Sequence, residues 1–199
     1  MNNKGKTLYI WEAALLMSFC LVLCLSLWAQ GRQQSISSSL MRLHVIAVSD
    51  EKAEQELKLR VRDAVLGYLE PRLSGAESSA EAQAIIEAEL EGIARAAHDA
   101  AEGRQVSVSI GMENYPSKSY LGFTLPAGRY NSLRVVLGEG KGQNWWCIAF
   151  PPLCLDAAQA EKMQAVMSSR DFAIITEAEG YELRFKIIEL WGEFIKHLN

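Results

Sequence analysis

The chain has 199 residues, 49% of them apolar and 22% charged, with a net charge of −4. That length and composition suit one globular domain of ordinary size with a real core. The mildly acidic balance argues against a nucleic-acid partner, which asks for a basic face.

Lys4 and Lys6 precede an uncharged apolar run from Ala13 to Ala29. A basic flank followed by apolar residues marks a secretory signal or a membrane anchor. Small residues at Ala29 and Gly31 occupy the positions a signal peptidase tests. Residues 1–31 therefore read as a signal peptide or anchor, with Cys20 and Cys24 as small hydrophobes within it. Residues 32–41, including the polar Gln33–Ser39, read as a short linker, and residues 42–199 as an exported domain.

Arg42-Leu43-His44-Val45-Ile46-Ala47-Val48 reads as a first strand, followed by a helix-entry signal at Ser49-Asp50. Leu57, Val61, Ala64, Val65 and Leu69 recur at helical spacing, which predicts a helix over 52–70 with Lys58 and Arg62 on its polar side. Pro71 and Gly75 close it. Ser78 and Glu81 form a capping-box pattern, and Ile86, Leu90, Ile93 and Ala97 predict one second helix to about Ala101. Val106, Val108, Ile110 and Met112 alternate with Ser107, Ser109 and Gly111, as expected of a strand with one wet face.

The stretch 115–155 reads as a β-meander. Leu121, Phe123 and Leu125 alternate, as do Leu133, Val135 and Leu137, then Trp146, Ile148 and Phe150. Pro126 and Gly128 fit a turn, Gly138–Gly142 a glycine-rich hairpin connection, and Pro151-Pro152 the end of the last strand. Trp145 and Trp146 face opposite sides, so one can be core while the other needs a cover or a partner. A third helix is expected from Asp156 to about Met167. Leu183, Ile187, Trp191 and Ile195 line one face of an expected C-terminal helix. The expected fold class is α+β: a mainly antiparallel sheet of about five strands covered by helices, after the N-terminal helix.

The catalytic inventory is thin. Gly138–Gly142 lacks the Gly-Lys-Ser/Thr ending of a phosphate loop and joins two strands rather than a strand and a helix. No Asp-Thr/Ser-Gly, Gly-x-Ser-x-Gly or His-Glu-x-x-His occurs. His44, His98 and His197 lie far from Cys147 and Cys154 in sequence, so no metal or cofactor is expected. In an exported domain Cys147 and Cys154 are disulfide candidates; buried thiols, or a Cys147 nucleophile paired with His44, are the alternatives.

Several blocks resemble the stage II sporulation protein R family: Tyr-Pro-Ser-Lys-Ser-Tyr (115–120), Pro-Ala-Gly-Arg-Tyr (126–130), Gly-Glu-Gly-Lys-Gly-Gln-Asn-Trp-Trp-Cys (138–147) and Phe-Pro-Pro-Leu-Cys (150–154). Arg42–Ala47 with Ser49-Asp50, and Leu57–Val65, resemble two earlier blocks of that family. The chain departs from it at Val48, where Asn is usual, and at Leu121, where Gly is usual. The resemblance implies a non-enzymatic developmental signal, made in the forespore and exported between the two sporulation membranes. There it would activate the mother cell's membrane-embedded aspartic protease, which cleaves pro-sigma-E. Partner contacts are expected from the 115–155 stretch through Tyr115, Lys118, Tyr120, Arg129, Tyr130, Asn144, Trp145 and Trp146. Lys58, Arg62 and Asp63 on the first helix are second candidates. The rival class is an extracytoplasmic cell-wall or peptide hydrolase using Cys147 or a Ser/His pair.

Overall fold

A computed structural model describes residues 3–120, 122–152 and 159–176. It contains two compact units that divide between residues 35 and 36. The expected C-terminal helix and the Asp156 cap lie outside the described residues.

The first unit is helical. Helix α1 (Asn3–Ser38) carries a segment, Tyr9–Ser38, long and apolar enough to cross a membrane, which takes roughly 20 residues. Its large apolar side chains from Tyr9 to Trp28 are exposed, as suits a segment whose favourable surroundings would be lipid. The expected linker takes a different form. Helix α1 runs on through Ser38, because no proline breaks the Gln33–Ser38 stretch, and Ile36 and Leu40 are buried in the body.

The second unit is α+β. Strand β1 (Met41–Ile46) leads into helices α2 (Lys52–Leu73), α3 (Ser79–Ala88) and α4 (Leu90–Ala100). Strands β2 (Val106–Tyr115), β3 (Lys118–Tyr120), β4 (Phe123–Leu125), β5 (Gly128–Leu137) and β6 (Asn144–Phe150) follow, then α5 (Gln159–Val166) and α6 (Ser169–Thr176). Pro71 sits in the last turn of α2 instead of ending it, and the helix continues to Leu73. The Ser49-Asp50 entry does not cap α2. Glu51 is the N-cap without a side-chain bond, and Asp50 instead accepts from the Gln143 backbone N–H at 2.7 Å.

The expected single second helix is two. Ser78 caps α3 as foreseen, its hydroxyl accepting from the Glu81 N–H at 3.2 Å. The break falls at Glu89, with φ −98° and ψ 8°. Tyr68 Oη donates to the Glu89 carboxylate, and this bond holds the Glu89 pKa below its ordinary value. Periodicity could not reveal the break, because Ile86 and Ile93 are buried in the same core on either side of it.

The main sheet has the order β2-β5-β1-β6, and β3 pairs with β4 in a separate two-stranded ribbon. Among the described residues all pairings are antiparallel except β1–β5. The expected meander is corrected on this point: β1 is inserted between β5 and β6. Near-continuous burial of Met41-Arg42-Leu43-His44-Val45-Ile46 fits a central strand, covered on both faces. The Gly138–Gly142 segment is therefore not a hairpin but a crossing over the end of β1. Gly142 N–H donates to the Ala47 carbonyl at 2.9 Å, and a Cβ at Gly142 would collide with the Ser49 carbonyl. Glycine is needed here because backbone passes against backbone.

Register divides the sheet residues between two faces. Leu43, Val45, Leu133, Val135 and Cys147 face the layer of α2, α3 and α4 in an aliphatic core with Leu57, Val61 and Ile93. Burying each such side chain contributes about 1.5–3 kcal/mol. Arg42, His44, Ser132, Trp146 and Ile148 point the other way. There a second core gathers Ile36, Leu40, Phe123, Leu125, Met163 and Ile175 around tyrosines 115 and 130. The ribbon β3–β4 does not alternate, since Phe123, Thr124 and Leu125 are all buried. The second core packs against it, and α6 contacts β4. Helix α6 has no counterpart in the sequence reading; Ser168 marks its start, accepting from the Asp171 N–H at 3.2 Å.

Candidate functional site

The polar face of the sheet is built around Arg42. A guanidinium is forced inward there because β1 is central and its even positions point into the second core. Arg42 is fully buried. Its Nε donates to the Cys147 carbonyl at 3.1 Å, and its Nη2 to the Tyr120 hydroxyl at 3.0 Å. The cation lies 4.2 Å from the Tyr115 ring centroid, 5.2 Å from that of Tyr130 and 5.8 Å from that of Tyr120. Three negative ring faces replace the carboxylate that usually accompanies a buried cation. Tyr115 shares a 2.6 Å hydrogen bond with Ser132, and Tyr130 donates to the Pro126 carbonyl at 2.6 Å. Burial pushes the phenols of Tyr115 and Tyr130 well above their ordinary pKa, so all three rings remain neutral donors or acceptors. Arg42 was legible only as a strand residue. Its role needed the strand order.

Next to this cluster, His44 bridges two strands. Its Nδ1 lies 3.1 Å from Glu113 on β2, and its Nε2 lies 2.8 Å from the Asn144 side-chain oxygen on β6. Arg134 joins Glu113 at 3.5 Å. Both ring nitrogens are thus engaged, and neither hydrogen bond goes to a serine or a cysteine. Leu43 is the register partner of Cys147 and His44 that of Trp146. Cys147 and His44 consequently point to opposite faces of the sheet, which removes the nucleophile pair considered from sequence. Cys154 lies outside the described residues. Among the described residues no group of three His, Cys, Asp or Glu side chains could hold a metal ion.

The residues expected to contact a partner separate into two sets. Tyr115 and Tyr130 are buried and hold the second core, so their side chains do not reach the surface. Lys118, Arg129, Asn144 and Asp63 are exposed; Tyr120, Trp145, Trp146 and Arg62 are half-buried. Trp145 and Trp146 do face opposite sides, but neither is left open. Arg62 stacks 4.5 Å from the Trp145 ring, and Trp146 packs 5.8 Å from His44 and 6.1 Å from Tyr115. Lys58 is not on a solvated side: it is 4% exposed. The helical period puts it beside Arg62, but its Nζ turns to the Gln143 carbonyl, just ahead of β6. Six of these residues line one open groove of about 750 Å3 along β6, between α2 and β3: Lys58, Lys118, Tyr120, Asn144, Trp145 and Trp146. Lys52 and Gln143 also line it and were not singled out by pattern.

Residues 37–160 match the family model described as stage II sporulation protein R. Among curated proteins, stage II sporulation protein R of Bacillus subtilis (strain 168) is 35% identical over 134 residues, covering 65% of this chain and 60% of that relative. The chain thus spans about 60% of the length of the curated relative it matches. No solved structure matches. The matched region runs from the end of α1 through all six strands, and takes in Arg42, its three tyrosines and every residue lining the groove. The chain belongs to the stage II sporulation protein R family.

Proposed function

We propose that this protein is an exported sporulation signal, made in the forespore, that binds and activates the mother cell's membrane-embedded aspartic protease and so triggers cleavage of pro-sigma-E. The observation that carries the reading is family membership over residues 37–160, joined to an apolar helix of membrane length on the N-terminal side of that region. The helix suits a signal or an anchor, and the body follows it across the membrane. The protein acts without catalysis of its own. In support, His44 is held by Glu113 and Asn144, and Cys147 lies on the other face. A Cys147–Cys154 disulfide is part of the proposal: Cys147 is buried in the middle of β6, the strand that ends at the Pro151-Pro152 turn, in a domain destined for an oxidising compartment.

An activator works only through a difference in affinity for the two states of its target. The exposed and half-buried members of the candidate set supply the side-chain types that dominate such contacts, those lining the groove first and Arg129 and Asp63, which do not line it, second. The test is co-expression of the full chain with the protease and pro-sigma-E. Processing that depends on this protein is the expected outcome. No processing with all three proteins present, or hydrolysis of peptide or glycan by this chain alone, overturns the reading.

A further inference from the structure

The groove along β6 carries an electrostatic imbalance. Its lining holds three cations, Lys52, Lys58 and Lys118, against one carboxylate, Glu56. Glu56 already lies 3.8 Å from Lys52. Lys58 is the unusual member. Its Nζ donates to the Gln55 side-chain oxygen at 2.6 Å and to the Gln143 carbonyl at 2.9 Å, both neutral acceptors. No carboxylate of the described residues is within the 4.0 Å ion-pair distance of it. A buried ammonium ordinarily has a counter-charge, because neutral acceptors offset only part of its desolvation. Burial lowers the Lys58 pKa, with Arg62 acting in the same direction and Asp50 against it. Lys58 thus has two neutral acceptors at hand and the Asp50 carboxylate only at longer range, which leaves its third Nζ proton for a further acceptor.

The rest of the groove suits a polypeptide. Strand β6 is the last strand in the order β2-β5-β1-β6, so the groove follows a sheet edge. An extended chain laid beside an edge strand points alternate side chains the same way, about every second residue. Trp145, Trp146 and Tyr120 supply aromatic walls. Lys52, exposed on α2, and Lys118, exposed on β3, stand on opposite walls and attract negative charge from solution.

We propose that this groove receives an extended, acidic segment of the protein partner, which lies along Asn144–Trp146 and sets one Asp or Glu carboxylate on Lys58. The proposal rests on the signalling reading for the identity of the partner, but not for the chemistry of the groove. The carboxylate accepts the remaining Nζ proton of Lys58, forming a charge-assisted bond in a site already largely shielded from water. Lys52 and Lys118 speed the encounter and set its salt dependence.

The test uses the full chain in detergent micelles. The probes are two end-capped peptides, one of alternating Thr and Glu and one of alternating Thr and Gln, titrated against tryptophan fluorescence. The Glu peptide is expected to bind saturably and the Gln peptide at least about tenfold more weakly, as loss of a charged hydrogen-bond partner implies. Lys58→Met is expected to remove that preference while melting no lower than the parent. Should Lys58→Met fail to fold, the double variant Lys52→Glu, Lys118→Glu, altered only at exposed positions, must weaken Glu-peptide binding. Equal binding of both peptides, or undiminished binding by these variants, overturns the proposal; so does free acetate competing at the same concentration as the peptide. In the co-expression assay, Lys58→Met that supports full pro-sigma-E processing ends the groove's role and leaves the signalling reading standing. A parent chain that drives no processing ends the signalling reading, and the peptide titration still decides the groove.

Discussion

The two faces of the sheet use different chemistry for the same task. The face under α2, α3 and α4 is aliphatic: Leu43, Val45, Leu133 and Val135 meet Leu57, Val61 and Ile93, and no polar side chain is needed to satisfy another. The opposite face buries an arginine among three tyrosines and orders it with a serine hydroxyl and two backbone carbonyls. The first arrangement is non-directional and tolerates apolar residues of similar volume. The second is directional, and each member has a partner at a defined distance. The difference teaches where the fold derives its bulk stability and where it derives its uniqueness. A hydrogen-bonded polar face holds the ribbon β3–β4 in one position against the sheet, which aliphatic packing alone would not do.

That comparison can be broken, beginning with the aliphatic face. Leu133→Ala should cost about 3–4 kcal/mol through a cavity in the first core, read as a lower urea midpoint. On the polar face, Arg42→Ala should cost about 3 kcal/mol, leaving a void and removing a donor from the Cys147 carbonyl, while Arg42→Met, which keeps the stem volume, should cost less. If Arg42→Met is more stable than the parent, the desolvated charge outweighs its ring and hydrogen-bond contacts, and the polar face is a net burden.

Smaller effects sharpen the contrast. Tyr115→Phe and Tyr130→Phe should each cost about 1–2 kcal/mol by orphaning Ser132 Oγ and the Pro126 carbonyl. Both folded pKa values are raised above the unfolded value of about 10. The folded state therefore holds these protons longer. The stability they contribute is complete below that pH and declines as pH rises past it, because only the unfolded chain ionises there. Urea midpoints measured from pH 8 to 11 should fall more steeply for the parent than for either Phe variant. Ser78→Ala, which removes the cap of α3 and touches none of the tyrosines, should cost about 1 kcal/mol with no change in that pH slope.

Legibility in the sequence followed the same division. The aliphatic face was readable because its periods, 3.6 in α2 and 2 in β5, are properties of local chain geometry. The candidate site was half readable. Lys58, Lys118, Tyr120, Asn144, Trp145 and Trp146 were singled out and are brought together at one groove, yet Tyr115 and Tyr130 belong to the core. The sequence by itself determined the apolar N-terminal helix, the α+β class, most strand positions, the Ser78 cap and, through its blocks, the family. Each of these depends on neighbours a few residues apart. Only the tertiary structure decided that β1 enters between β5 and β6, and with it that Arg42 is buried, that His44 and Cys147 are parted, and that Lys58 faces a sheet edge. Strand order is set by which long-range pairing buries the most surface on both faces of a strand. That comparison is made between segments about a hundred residues apart, such as Arg42 and Ile148, and no local period encodes it.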